Sequence, residues 1–126
     1  MGQPSYGSGL EAALAVAGGK WKPLVVWQLA TNGPRRFSQL RRLVGGIGEG
    51  TLIAALKGLA SDGIVVRTDF REIPPRVEYS LTEFGLELSR ALLPLDSWGS
   101  TSMRRISALP RRTAQAQGTA RGQRGK

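Results

Sequence analysis

The sequence predicts an α+β fold with five helices and a two-stranded β-hairpin, and three observations support this prediction. Apolar residues recur at helical spacing in several short segments that stop at glycine or proline. Residues 63–82, GIVVRTDFREIPPRVEYSLT, hold two apolar-rich runs separated by a diproline tip, which is typical of a hairpin. The length of 126 residues suits one domain with its own core.

The first three helices are predicted from their apolar spacing and their end signals, at residues 9–17, 20–30 and 37–43. Leu10 and Leu14 lie on one face of the first helix, which stops at paired glycines. Pro23 falls in the first turn of the second helix, where its missing N–H had no partner anyway. Arg41 and Arg42 project from the third helix.

The fourth helix, predicted at residues 49–61, places Leu52, Leu56 and Leu59 on one face that points to the core. The preceding turn, Gly45-Gly46-Ile47-Gly48, suits a helix-turn-helix because glycine can take the positive φ of a tight reversal. The outward face of this helix therefore carries Thr51, Ile53, Ala54 and Lys57.

The hairpin follows, with strands predicted at residues 64–70 and 76–81. The side chains expected to point inward from its second strand are Val77, Tyr79 and Leu81. Thr82 is then the predicted N-cap of the fifth helix. Pro94 should kink or end this helix near Leu93.

The net charge of +9 is concentrated at the C-terminus. Residues 1–100 hold 11 basic and 9 acidic side chains, whereas residues 101–126 hold seven basic and no acidic ones. This last segment has almost no large apolar residue beyond 109, so we expect a disordered basic arm that attaches to phosphate without sequence preference. A tail that only improves solubility is the alternative. We therefore divide the chain into a flexible N-terminus at 1–8, a folded domain at 9–100 and a disordered basic tail at 101–126.

Composition also removes several classes of function. The chain has no cysteine and no histidine, so disulfides, thiolate nucleophiles and thiol-based redox sensing are excluded, and the commonest general base is missing. The Asp and Glu residues are scattered without paired spacing. We therefore expect no enzyme, no metal site and no cofactor.

No segment of the sequence indicates a membrane or export. The apolar run at 24–27 falls far short of the roughly 20 residues that cross a bilayer. The polar start MGQPSYGSG lacks the basic region and apolar stretch of a signal peptide. We expect a soluble cytoplasmic protein without a membrane partner.

A short helix followed by a hairpin with arginines at its tip is the layout of a winged helix-turn-helix. In that fold one helix enters the DNA major groove and the hairpin, the wing, reaches the adjacent backbone or minor groove. Arg71 and Arg76 bracket the predicted wing tip. They can be solvated hairpin charges, but their position beside the tip favours contact with phosphate or the minor groove.

Three segments in this order, GGKWKPLVVWQLATNGPRRFSQLRRLVGGI, LKGLASDGIVVR and IPPRVEYSLTEFG, resemble the HxlR family of bacterial winged-helix transcription regulators. The resemblance covers about residues 10–99. It implies a homodimer formed through the N- and C-terminal helices, which binds two half-sites of double-stranded DNA. It places the family's lysine at Lys20, its basic pair at Arg41 and Arg42, and its wing at residues 73–77.

The sequence departs from the family pattern in three places. Many members carry a cysteine near the N-terminus, and its absence here excludes a thiol switch. The groove-entering helix usually opens with serine, a basic residue and Leu-Thr or Leu-Ser, where this chain has Gly48, Gly50 and Leu52-Ile53, so fewer side chains can reach base edges. The segment LLPLDSWG is shorter than the usual spacing by about one helical turn.

We predict a dimeric, sequence-specific DNA-binding regulator that inserts helix 49–61 in the major groove and sets its 70–77 wing on the adjacent backbone or minor groove. The predicted base-facing residues are Thr51, Ile53, Ala54 and Lys57. The predicted phosphate contacts are Lys20, Arg35, Arg36, Arg41, Arg42, Arg71 and Arg76. The alternative is a protein-interaction module that attaches to nucleic acid only through its basic tail. The residues leave open the operator, the direction of regulation and any small-molecule effector.

Overall fold

A computed structural model describes residues 5–110 of the chain. Its elements are, in order, α1 (Gly9–Ala17), α2 (Trp21–Asn32), α3 (Phe37–Leu43), α4 (Glu49–Ser61), β1 (Val65–Asp69), β2 (Val77–Leu81) and α5 (Glu83–Ser107). Within these residues the predicted α+β fold of five helices and a β-hairpin is confirmed. The chain divides into two compact units, Met1–Leu92 and Leu93–Lys126, with the boundary inside α5.

Local hydrogen bonds explain where the first two helices begin and end. The Ser8 hydroxyl caps α1 by accepting from the Glu11 N–H at 3.1 Å. Helix α2 runs two residues beyond its predicted end, because Gly33 closes it only there. Gly33 adopts a φ of 79° and donates its N–H to the Leu29 carbonyl at 2.9 Å. The boundaries predicted for α1, α3 and α4 agree with the structure.

The core of the first unit is formed by α2, α3, α4 and the start of β1. The largest fully buried side chains are Leu40, Leu52, Leu59, Ile64, Val25 and Val26. The predicted inward face of α4 is therefore confirmed, since Leu56 is buried as well. Trp21 and Phe37 pack against this core from its margin and remain half-buried.

The two strands pair antiparallel, from Val65 opposite Leu81 to Asp69 opposite Val77. All five residues of β2 are half-buried, so the inward alternation predicted for this strand is not sharp. The loop before α3 joins the same sheet, because Arg35 and Tyr79 exchange two backbone hydrogen bonds of 3.0 and 2.8 Å. Arg35 thereby ties the helix-turn-helix to the base of the wing.

The junction between the hairpin and α5 depends on Thr82 and Gly85. The Thr82 hydroxyl accepts from the Gly85 N–H at 3.0 Å and donates to the Gly63 carbonyl at 2.6 Å, so the predicted N-cap is confirmed. The Thr82 N–H donates to the Ile64 carbonyl at 3.0 Å. Gly85 is buried directly against that carbonyl.

Of the two outcomes predicted for Pro94, an end of the last helix near Leu93 is wrong, and a kink there stays a prediction. Helix α5 continues through Pro94 to Ser107 and spans 25 residues. Proline removes one N–H donor from the helix. In a helix of this length, the many hydrogen bonds on either side of Pro94 outweigh that single loss. The boundary predicted at residue 101 consequently lies inside the helix, and the tail prediction from 111 onward falls outside the described residues. Across residues 5–110, none of the helices combines the length and apolarity needed to cross a membrane.

Candidate nucleic-acid interface

The outward face of α4 is open to solvent. Thr51, Ile53, Ala54 and Lys57 are all exposed, while Leu52 on the opposite face is fully buried. The helical period that places the leucines in the core therefore leaves these four side chains free to meet a partner. The turn that precedes α4 is tight, and Gly46 takes a φ of 86° within it.

The exposed face of α4 adjoins the wing. Ile53 and Lys57 line a groove of about 180 Å³ together with Arg67 and Tyr79 of the two strands. The groove therefore joins the helix to the stem of the hairpin and carries two cationic side chains. Arg67 was missed by sequence reasoning. Strand alternation could have identified it, because residues two apart share one face of a strand. Arg67 lies two residues after the buried Val65 and opposite Tyr79.

A second, open cleft of about 790 Å³ lies between α3 and the start of α4. Arg41 and Arg42 line it with Ser38 and the glycine turn. Arg41 also holds the turn in place, because its Nε donates to the Ile47 carbonyl at 3.2 Å. The positive end of the α4 dipole faces this region, and Gly48 as N-cap has no side chain to occupy the first-turn N–H groups. The cleft thus combines two arginines with a helix start, an arrangement that attracts anions.

The remaining predicted cations outside the wing are less closely assembled. The Arg35 guanidinium donates to the Pro34 carbonyl at 2.7 Å. Arg36 is exposed at the start of α3, with its backbone N–H bonded to the Gln39 side chain at 2.9 Å. Lys20 lies over the Trp21 ring at 4.5 Å and lines neither of the two clefts.

The two wing arginines have different surroundings. Arg71 has an exposed side chain, and its N–H is bonded to the Asp69 carboxylate at 2.9 Å. Arg76 is held by the carboxylates of Glu72 and Glu78, at 3.0 and 3.2 Å. Its guanidinium also stacks 3.7 Å from the centre of the Phe70 ring. The hydrogen bond that the Arg76 guanidinium donates to the Glu72 carboxylate raises the pKa of Arg76, so this charge is paired within the wing.

The wing is consequently less basic than its two arginines indicate. Residues 69–78 hold two arginines and three acidic residues, a formal charge of −1. The two arginines that bracket the tip are thus outnumbered by their acidic neighbours. Glu72 and Glu78, four positions before Arg76 and two positions after it, carry the carboxylates that offset the charge of Arg76.

Comparison with known proteins agrees with this architecture. The HxlR-like helix-turn-helix family model matches residues 16–107. The HTH-type transcriptional regulator YtcD of Bacillus subtilis (strain 168) is 38% identical over 106 residues, which cover 84% of this chain and 83% of YtcD. YkvN of the same organism, also an HTH-type transcriptional regulator, is 43% identical over 94 residues, or 75% of this chain and 79% of YkvN.

A solved structure supports the same assignment. The reduced form of the redox regulator HypR superposes with a TM-score of 0.74 at 37% identity, covering 81% of this chain and all 100% of the HypR chain. The resemblance inferred from the three sequence segments is therefore confirmed. Because the family match and these relatives extend over most of its length, the chain belongs to the HxlR family of helix-turn-helix transcriptional regulators.

Proposed function

We propose that this regulator is a homodimer that recognises a specific DNA site by inserting α4 in the major groove, with the wing on the adjacent backbone or minor groove. The supporting observation is the open face of α4, which carries Thr51, Ile53 and Lys57 and shares a groove with the wing stem. An exposed helix beside a hairpin fits the way winged helices bind a duplex.

The side chains of α4 suit direct reading of bases. The Thr51 hydroxyl and the Lys57 ammonium can make hydrogen bonds to base edges, while Ile53 and Ala54 can contact thymine methyl groups. Phosphate contacts then fix the register of the protein on the duplex. The proposed phosphate contacts are Lys20, Arg35, Arg36, Arg41, Arg42, Arg67 and Arg71. Arg76 is left out of this set because two glutamates already hold its guanidinium.

A competition experiment tests the specific reading of DNA. The full chain and a truncation that ends at Pro110 are each incubated with genomic fragments and an excess of random duplex. Selective retention of one fragment by both proteins is expected, with selectivity lost in Lys57→Ala. Equal retention of all fragments by the full chain, with no binding by the truncated chain, would overturn the proposal. That outcome would favour the alternative of an interaction module attached only through its tail, which the few polar groups on α4 support.

The dimer is proposed from uncovered apolar surface on α1. Leu10 and Leu14 are 70% and 57% exposed. Val16 of the same helix lines an apolar groove of about 400 Å³ together with Phe84 and Leu88 of α5. Large apolar side chains concentrated on one helix mark an interaction surface. We propose that a second copy of the chain buries this surface, because two-fold dimers of this fold present their groove helices to successive half-sites.

Replacing Leu14 by glutamate should convert the dimer to a monomer. The new carboxylate would have to be buried in the apolar contact. Its desolvation free energy is larger than the free energy that the contact contributes to association. Light scattering after gel filtration measures the mass. Ala15→Glu is the matched control, since it adds the same charge one residue along the same exposed helix. A dimeric Leu14→Glu protein would remove α1 from the interface. Dissociation by both variants would show that the loss depends on added charge and not on the apolar side chain of Leu14.

A further inference from the structure

The most exposed apolar side chain among those that the structure describes lies at the tip of the wing. Ile73 is 99% exposed, and the two prolines that follow it are exposed as well. Removal of an isoleucine side chain from water is favourable, so burial of Ile73 by a partner would stabilise the complex. The diproline also restricts the backbone, which limits the entropy lost when the tip is bound.

The base of the wing holds this tip in a defined position. The Phe70 N–H donates to the Arg76 carbonyl at 2.9 Å and closes the loop. The Arg76 side chain then bridges Glu72, in the loop, to Glu78, on β2, and covers the Phe70 ring. Backbone and side chain of one residue thus join both arms of the hairpin below Ile73.

The charge of the wing argues against a phosphate clamp built on Arg76. Its guanidinium faces two carboxylates, and the segment 69–78 has a formal charge of −1. If Arg76 turned to a phosphate, two carboxylates would be left unpaired beside a polyanion. In its observed position, Arg76 offsets the charge of the two glutamates and so reduces the repulsion between the wing and DNA.

We infer that the wing meets DNA through Ile73, inserted as an apolar contact in the minor groove, and that Arg76 neutralises Glu72 and Glu78 instead of binding phosphate. Proteins that bind the minor groove frequently insert apolar side chains, isoleucine among them, between base steps. This inference rests on the proposed function, because it requires that α4 occupy the neighbouring major groove.

The first test measures the affinity of the Ile73→Ala variant for the DNA fragment that the unmodified protein selects, at several salt concentrations. Roughly tenfold weaker binding is expected from the lost apolar burial, with an unchanged salt slope because no charge is removed. Hydroxyl-radical footprinting should show minor-groove protection beside the α4 site for the unmodified protein and its loss in the variant. Val66→Ala, an exposed apolar residue on β1, is the matched control and should bind within about twofold of the unmodified protein.

Equal binding by Ile73→Ala and the unmodified protein would overturn the inference while leaving the proposed function intact. Equal loss in Val66→Ala would also overturn it, because the effect would then not be specific to the tip. Failure of the unmodified protein to select any fragment would overturn the proposed function, and the inference with it.

The second test separates charge compensation from a phosphate contact. Arg76→Ala should weaken binding about tenfold, because it exposes two unpaired carboxylates to the DNA. Adding Glu72→Gln and Glu78→Gln to Arg76→Ala should restore affinity to within about threefold, since it removes those charges. If the triple variant stays as weak as Arg76→Ala and has a salt slope lower by about 0.9 per protomer, Arg76 binds phosphate and this part of the inference fails.

Discussion

Replacing Gly85 by alanine is expected to destabilise the first unit by about 3 kcal/mol, the upper end for overpacking a core. A Cβ at this position would overlap the backbone carbonyl of Ile64. That carbonyl cannot retreat easily, because it accepts the Thr82 N–H and belongs to a fully buried residue. The backbones of β1 and α5 must therefore separate, and the Thr82 cap is lost with them.

Urea unfolding followed by tryptophan fluorescence measures this effect. Gly99→Ala is the matched control, because Gly99 lies in the same helix and an added Cβ there meets nothing within 4 Å. The control should gain up to about 1 kcal/mol from the higher helix propensity of alanine. If Gly85→Ala unfolds at the same urea concentration as the unmodified protein, the close approach of α5 to β1 is not a constraint on this position.

Replacing Arg41 and Arg42 together by alanine should weaken DNA binding by about 100-fold at moderate salt. Both residues line the cleft at the start of α4, where the helix dipole already favours an anion. Loss of two phosphate contacts should reduce the salt slope by about 1.8 per protomer and weaken specific and random duplex alike. Arg42→Ala alone should give about half of the change in slope without disturbing the hydrogen bond from Arg41 to Ile47.

The control for this prediction removes the same charge elsewhere. Arg104 and Arg105 form a second adjacent pair, in the last turn of α5. Their double replacement by alanine lowers the net charge equally but leaves the α3–α4 cleft intact. Titrations of labelled duplex at several salt concentrations compare the two double variants. Equal losses in affinity and slope would show that total charge, and not the cleft, governs binding.

Local patterns predicted the helix-turn-helix well. The bounds of α3 and α4 follow from apolar residues at helical spacing and from glycine ends, which are properties of a few neighbouring residues. The same rule allowed an end at Pro94 that the structure does not show, because it weighs one lost N–H donor and takes no account of the length of helix on both sides.

Part of the interface was also accessible from local spacing. The exposure of Thr51 and Lys57 follows directly from the burial of the leucines on the other face of α4. The pairing of Arg76 with Glu78 had a local signal too, since residues two apart share one face of a strand. That signal was overlooked because the arginines were considered without their acidic neighbours.

Other features depend on residues far apart in the chain. Arg35 joins the sheet through Tyr79, and Arg67 and Lys57 line one groove only because the hairpin packs beside α4. The close approach behind Gly85 likewise brings α5 onto the carbonyl that ends the loop before β1.

The amino-acid order alone thus established the helices, the hairpin, the family and the exclusion of thiol chemistry, because these follow from residue type and short-range periodicity. The groove between α4 and the wing, the anchoring of Arg35 and the need for glycine at position 85 came only with the folded chain. They arise from steric contact and hydrogen bonding between elements that no local pattern brings together.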